Sequence, residues 1–556
     1  VSRNARGRGY DDGDALDPTP ALLAVPLGAV GGGLALLAFP PYGLWWLLPI
    51  ALGLLSAAVL TRSWVTAVFS SLAWGLAFFV PMTHWAATYA GTPPWLALGV
   101  FESLYIVLYG LLARVLLVRW GPGLKTLVGV ACLWVGVESL RSHAPWGGLP
   151  WGASGFALAD SPLLTLGPWI GMAGLAFVMS VFGSLLFSGV LALLGRRHRG
   201  LGGIGGVWPI AVVFASVLAC AVVPTPGATV PKDRSTLRVV GIQGSMDPID
   251  PATLAMPDDV LTNNIATTNE ALAAHDESGR SPALILWPED SVGSDPREDP
   301  AAGYALTALA QRADAPLLVG TQTPEGEHHR YNVSVLWTPQ GEASWTYAKR
   351  HPVPFGEYVP MRSVLRTVSP MVDMVTRDML PGDEVGVLDL GSEHGTQGKV
   401  GVLICFEIAY DNLAHDVVDD GAELIVVQSN NALFGTSHEA IQQLAQAKVI
   451  GVITGRSVVH LSTVGHSAVY DPEGRRMDFV GHWEQGFLAA DVPLRTTITP
   501  AVAAGSWPAI VLSVLGVLAV AAAFASSTRA VAAPASRRRG TQNGPQRRST
   551  TTTRRT

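Results

Sequence analysis

The sequence predicts a multi-pass α-helical membrane domain, of about eight transmembrane helices, joined to a polar α/β domain. Three observations carry that reading. Only 14% of the 556 residues are charged and 49% are apolar, whereas an ordinary globular chain is about 25% charged. The mean hydropathy is +0.33. Eight apolar runs crowd the part before residue 224 and the carboxyl end, and the long stretch between them alternates short β-rich and helical segments.

The runs fall at residues 21–39, 44–60, 64–82, 95–118, 125–141, 163–194, 205–223 and 507–526. A helix needs about 20 apolar residues to cross the hydrocarbon core. The first run follows Arg3, Arg6 and Arg8 as a signal peptide would, but the acidic stretch from Asp11 to Asp17 intervenes. It reads as a retained helix. Cytoplasmic loops hold the excess of Lys and Arg, and Arg62, then Arg119 with Lys125, then Arg196, Arg197 and Arg199 mark alternate loops. Eight arginines and no acid follow Phe524 in a Ser/Thr-rich setting, which suits a disordered tail near anionic lipid. Both termini are then cytoplasmic. The expected layout is a disordered cytoplasmic stretch at 1–20, seven helices within 21–223, an extracytoplasmic domain at 224–505, a last helix at 506–526 and a basic tail at 527–556. The expected location is the cell (inner or plasma) membrane.

In the outer domain, residues 237–243, 283–287, 316–321, 333–337, 399–404 and 424–427 read as buried strands, and 437–452 repeats at helical spacing. The formal net charge of −6 is too small to suggest a nucleic-acid partner. Cys132, Cys220 and Cys405 are too few for a framework of disulfides. No phosphate-cradling loop or zinc signature is present, and His438, His460 and His466 have no ligand spacing, so no metal or cofactor is expected.

Cys405 closes the strand GKVGVLIC and is the one cysteine outside the membrane runs. Taken alone it is open to a buried structural role and to that of a nucleophile. Glu289 ends ALILWPE behind Trp287 and Pro288, where an apolar wall could raise its pKa to that of a useful base. A solvated strand-end carboxylate explains it as well. Lys349, in TYAKRHPVPFGEYVP, is either a surface lysine or an oxyanion stabiliser. Glu357, in the same segment, has the same ambiguity.

Together, WPED, YAKRHPVPFGEYVP and ICFE resemble the Glu-Lys-Cys triad of the nitrilase superfamily. With QSNNALFG, VESLRSHAPWGGLPWG and membrane runs on both sides, nearly the whole chain resembles the apolipoprotein N-acyltransferase family. That resemblance implies a nitrilase-like α-β-β-α sandwich and a ping-pong acyl transfer. The donor would be a membrane phospholipid, and the acceptor the free α-amino group of a diacylglyceryl-modified lipoprotein. It implies Cys405 as nucleophile, Glu289 as general base and acid, and Lys349 as oxyanion stabiliser. Glu357 and Glu407 would be supporting acids and Phe406 a supporting aromatic. A monomer is expected. A thiolate near neutral pH would suit such a two-step route. The Met-rich segment 355–381 suits a lid toward acyl chains, or an ordinary loop, and the Trp-rich loop 145–155 suits an interfacial belt. Glu138 and Arg141 could pair.

Two departures stand out: the loop GSMDPIDPATLAMPDDV lacks a Trp that the family often carries, and Leu433 replaces a common Trp in NNALFG. Competing readings are a membrane-anchored hydrolase of small amides or nitriles, and a transporter or scaffold without chemistry.

Overall fold

The computed structural model describes residues 18–121, 123–193, 208–220, 235–248, 259–278, 280–367, 372–373, 375–391 and 398–531. The basic tail beyond 531, Arg196, Arg197, Arg199, Met371, Met374 and most of the loop after the first strand lie outside the described residues.

All eight apolar runs are helices: α1 Ala21–Leu37, α2 Leu47–Val59, α3 Trp64–Met82, α5 Thr92–Trp120, α6 Leu124–His143, α7 Gly167–Leu193, α8 Trp208–Cys220 and the last helix Trp507–Val531. A short α4, Trp85–Ala90, follows α3. Among the described residues four stretches are long and apolar enough to cross a membrane, Trp64–Met82, Thr92–Trp120, Pro162–Leu193 and Trp507–Ser526, while Ala21–Leu37, Leu47–Val59 and Trp208–Cys220 are shorter apolar helices. Leu22, Phe214, Leu218 and Val517 are exposed and leave apolar surface on these helices.

The polar part holds thirteen strands among the described residues. One sheet contains β1 Thr236–Gln243, β2 Leu284–Leu286, β3 Leu317–Glu325, β4 His329–Trp337, β5 Ala343–Ala348 and β13 Gly486–Pro493, in the order β13-β1-β2-β3-β4-β5, with β6 Asp378–Met379 beside β4. The other contains β7 Val387–Asp389, β8 Lys399–Ile404, β9 Leu424–Ser429, β10 Ser457–Ser462, β11 Ser467–Tyr470 and β12 Arg476–Val480, in the order β12-β11-β10-β9-β8-β7. Both sheets are parallel at their centres. Such strands are buried on both faces and read as continuous apolar runs, as β1, β2, β3, β8 and β9 do, whereas the equally buried β10 carries Ser and His and was not expected.

The period of two then sorts each strand between two cores. Val239, Leu286, Leu318 and Leu336 meet Val402 and Val426 between the sheets. Val240, Ile285, Trp287, Val319 and Val335 face the other way, against α9 Asp259–Ser278 and α10 Pro300–Ala313. Helices α11 Asp411–Asp419 and α12 Glu439–Thr454 cover the second sheet. The result is the α-β-β-α sandwich. Helix α12 is buried along almost its whole length because its outer side rests on α7 and the loop after α6. Lys448 pairs with Asp160 at 2.7 Å, and Trp151 Nε1 donates to Gln442 Oε1 at 2.6 Å. These contacts join the sandwich to the helical part.

Candidate active site

Strand β8 delivers Cys405 to the end of the second sheet, where the chain must leave the strand at once to enter a 3-10 turn, Cys405–Ala409. The bend puts Cys405 at φ +56°, a left-handed conformation that costs an L-residue roughly 1–2 kcal/mol. Glu407 supplies the restraint that holds it. Its Oε2 accepts from Ile404 N at 2.8 Å, its Oε1 from Arg350 N at 2.7 Å and His351 N at 3.1 Å, and both oxygens lie 3.0 Å from Tyr347 Oη. One carboxylate thus ties the cysteine turn to the segment that carries Lys349. Burial pushes the Glu407 carboxyl above the usual range despite these donors.

Lys349 follows β5, and its backbone N donates to Asn332 O on β4 at 2.9 Å. Its Nζ is wholly buried, 2.6 Å from Glu357 Oε1 and 3.6 Å from Glu289 Oε1. Glu357 is held in turn by Val353 N at 2.6 Å. Glu289, just beyond β2, accepts from Asn332 Nδ2 at 2.6 Å and from Asn430 N at 2.8 Å. Both of its oxygens are therefore fixed from different strands.

The electrostatics follow from burial. It pushes the Glu289 carboxyl up to about 7, with Lys349 pulling down and Asp290 and Glu357 pushing up. Burial alone would depress Lys349, but Glu357, Glu289 and Cys405 outweigh it and hold the ammonium above its ordinary range. The Cys405 thiol is driven well up, first by burial and then by the charge of Glu289, against the pull of Lys349. The resting sulfur is therefore a protonated thiol. Desolvation outweighs the single ammonium, so the sulfur needs a base to take its proton.

Phe406 forms the join with the helical part. It stacks on Trp151 at 4.7 Å and 28°, meets Trp85 of α4 edge-on at 5.5 Å, and approaches Phe434 at 6.1 Å. Trp151 is 1% exposed, so it belongs to this aromatic floor rather than to an interfacial belt. In that loop Trp146 is the exposed one, edge-on to Phe355 at 5.6 Å. Arg141 fixes the loop by donating to Leu149 O at 2.5 Å and Trp151 O at 2.9 Å while pairing with Glu102 at 3.2 Å. Glu138 instead accepts from Ser154 N at 2.9 Å and Oγ at 2.7 Å. Arg141→Met leaves Glu102 buried without its partner, which typically costs about 3–5 kcal/mol. Thermal unfolding in detergent should register that loss, and an unshifted transition would contradict it.

Glu289, Lys349, Cys405, Glu357, Phe406 and Glu407 thus all converge on one place. Sequence reasoning missed Asn332, Asn430, Trp85 and Gln443, whose Nε2 lies 3.7 Å from Cys405 Sγ. His460 is buried beside Gln443, and the His466 ring stacks on Phe479 at 5.7 Å. Among the described residues no group of three or more His, Cys, Asp or Glu could hold a metal ion.

A carboxylate, an ammonium and a thiol gathered at strand ends of a four-layer sandwich define a carbon-nitrogen hydrolase domain, and residues 261–499 match the family model of that description. Among solved structures, an amidase of the nitrilase superfamily from Nesterenkonia AN1 aligns with a TM-score of 0.36 and 19% identity, over 50% of this chain and 96% of the amidase. Residues 31–185 match the apolipoprotein N-acyltransferase N-terminal domain. The apolipoprotein N-acyltransferase of Mycolicibacterium smegmatis is 33% identical over 512 residues, covering 89% of this chain and 83% of the relative. That of Photobacterium profundum is 25% identical over 504 residues, covering 88% and 92%. The chain belongs to the apolipoprotein N-acyltransferase family.

Proposed function

We propose that this protein takes an acyl chain from a membrane phospholipid onto Cys405 as a thioester and passes it to the free α-amino group of a diacylglyceryl-modified lipoprotein cysteine. The observation that carries the reading is the floor under the nucleophile: Phe406, adjacent to Cys405, packs on Trp85 and Trp151, both supplied by the helical part. A hydrolase of small polar amides has no need of a nucleophile seated on membrane helices. Phe355, Met361 and Val364, exposed on one segment after Lys349, add an apolar surface suited to acyl chains.

In the first step the Cys405 sulfur attacks the ester carbonyl carbon as Glu289 takes the thiol proton. The S–C bond forms, and Lys349 stabilises the oxyanion. Collapse breaks the C–O bond, and Glu289 returns the proton to the departing lysophospholipid oxygen. In the second step the amine attacks the thioester and Glu289 accepts an N–H proton. The N–C bond forms, and the sulfur leaves and is reprotonated. Glu357 aligns Lys349, and Glu407 holds the turn at Cys405. No cofactor enters. Eight crossings, cytoplasmic termini, an extracytoplasmic domain at 224–505 and a monomer in the cell membrane complete the proposal, and the charge pattern of the loops supports that orientation.

The base must be ionised to accept the thiol proton. With Glu289 at about 7, single-turnover acylation rises roughly tenfold per pH unit below 7 and levels off above it. Glu289→Gln removes that rise and lowers the plateau by about 10²–10⁴-fold. The test follows release of lysophospholipid from a defined phospholipid between pH 5 and 9. A rate independent of pH through 7 in the unaltered protein would rule out this assignment of the base. Transfer to a diacylglyceryl peptide with a free amine, and none to the N-acetylated peptide, identifies the acceptor. Release to water alone points to a lipid hydrolase.

A further inference from the structure

Beside Cys405 lies a polar cluster that the two acyl-transfer steps leave without a role. Asn431, Glu439, Gln443, His460 and Ser462 are all wholly buried. Its hydrogen bonds run in one direction. Gly465 N donates to Ser462 Oγ at 2.9 Å, and Ser462 Oγ donates to Asn431 Oδ1 at 2.5 Å. Asn431 Nδ2 then donates to Glu439 Oε2 at 2.6 Å and to Gln443 Oε1 at 3.0 Å.

This order leaves little freedom. The Ser462 hydroxyl accepts from a backbone N–H and gives its own proton to Asn431 Oδ1, which turns the Asn431 amide nitrogen toward Glu439 and Gln443. Gln443 must then use its oxygen for Asn431, and its amide nitrogen is left facing Cys405 Sγ at 3.7 Å. His460 Nδ1 lies 3.1 Å from His466 O and carries the ring proton, so His460 Nε2, 3.3 Å from Gln443, has none to give. Glu439 Oε1 has no partner, so the one hydrogen bond of this carboxyl group is the one that orients Asn431.

We propose that Gln443 is a catalytic residue that donates a hydrogen bond to the Cys405 sulfur, and that Asn431 and Glu439 are positioning residues that hold its amide in that orientation. The inference rests on the reading of Cys405 as the acyl-accepting nucleophile. The sulfur gains negative charge twice, on losing its proton during attack and on leaving the second tetrahedral intermediate. A donor aimed at sulfur favours the charged form. The need is plain from the surroundings: burial and the charges of Glu289 and Glu357 disfavour a thiolate, against the pull of Lys349. A neutral amide donor helps without adding a charge to be buried. Burial pushes the Glu439 carboxyl up to about 8, against the Asn431 bond and with the help of Glu289. Near pH 7 it is mostly neutral, and it still offers the oxygen that Asn431 uses.

The test is the rate of Cys405 alkylation by iodoacetamide in the full-length protein in detergent, read from the mass of the Cys405 peptide between pH 6 and 10.5, with a midpoint above that range placed from the rate relative to free cysteine, alongside single-turnover acylation. Gln443→Leu should move the alkylation midpoint up by about one pH unit and slow acylation about 10–100-fold. Asn431→Leu should do the same, and the double variant should be no worse than Gln443→Leu alone. Glu439→Leu removes the oxygen that Asn431 uses and should move the midpoint in the same direction as Asn431→Leu. An unmoved midpoint in a folded Gln443→Leu protein overturns the proposal, as do additive effects in the double variant. Should Gln443→Leu fail to fold, Gln443→Asn, too short to reach the sulfur, decides by the same midpoint. Alkylation reports on the thiol whether or not a phospholipid acylates it. A shifted midpoint in a protein that transfers no acyl chain would support Gln443 and overturn the acyltransferase reading.

Discussion

Cys405→Ala should abolish acyl transfer, by about 10⁴-fold or more, without unfolding the protein. The covalent route has no second nucleophile, since Cys132 and Cys220 lie in α6 and α8, and loss of a nucleophile removes the whole stepwise path. The fold should survive because Glu407, not the sulfur, ties the turn together. Cys405→Ser is the sharper variant. Its hydroxyl is similar in size, but a base near pH 7 ionises an alcohol far less readily than a thiol, and an alkoxide is a poor leaving group toward an amine. Cys405→Ser should therefore acquire, at most, an acyl ester that the peptide amine does not discharge. Mass measurement of the intact protein after incubation with phospholipid distinguishes the cases. A Cys405→Ala protein that kept full cellular function would instead revive the reading of a scaffold without chemistry.

The second large effect belongs to Lys349. Lys349→Met keeps the stem and removes the ammonium, leaving Glu289 and Glu357 facing each other with no cation between them. Losing one partner of a buried pair costs about 3–5 kcal/mol, and losing an oxyanion donor costs about 10²–10³-fold in rate. The pH dependence separates this from generic damage. Without Lys349 the Glu289 carboxyl, already raised to about 7, moves higher still. A group whose folded pKa is raised contributes stability that is fully present below its unfolded pKa and lost as pH rises through the folded one. The variant should therefore be nearest to the unaltered protein at about pH 5 and fall furthest behind above pH 7. Thermal unfolding at pH 5 and pH 8 checks this, and an equal deficit at both values would contradict the pair.

What the sequence could not convey follows from how each part is built. Five of the six strands read from it, β1, β2, β3, β8 and β9, are apolar runs of the two parallel centres, and the sixth, β4, is the antiparallel neighbour of β3. The parallel β10 went unread because Ser and His interrupt its run SVVHLS. The others lack that mark: β12 is a largely exposed edge, β13 contains Gly486 and Pro493, and β7 has three residues. Eight helices were legible, yet α1 and α2 are short of a full span by themselves, and they pack against α3 and α7. In the site, Glu289, Lys349 and Cys405 stood in motifs, whereas the fixing of Glu289 depends on sheet neighbours. Asn332 meets it from β4 and Asn430 from the end of β9. A polar residue inside the apolar run YNVSVLW was the available signal for Asn332. Trp151 was misjudged because a Trp in a Gly- and Pro-rich loop beside a helix end looks interfacial. What buries it is Phe406, more than two hundred positions later in the chain.

The most direct test of acyl transfer through Cys405 is to incubate the purified protein with a phospholipid carrying a tagged acyl chain and to search the Cys405 peptide for a hydroxylamine-labile label. The account predicts that the label forms on Cys405 and is discharged by a diacylglyceryl peptide with a free amine. No label on Cys405, with the thiol still reactive toward small amides, would contradict it.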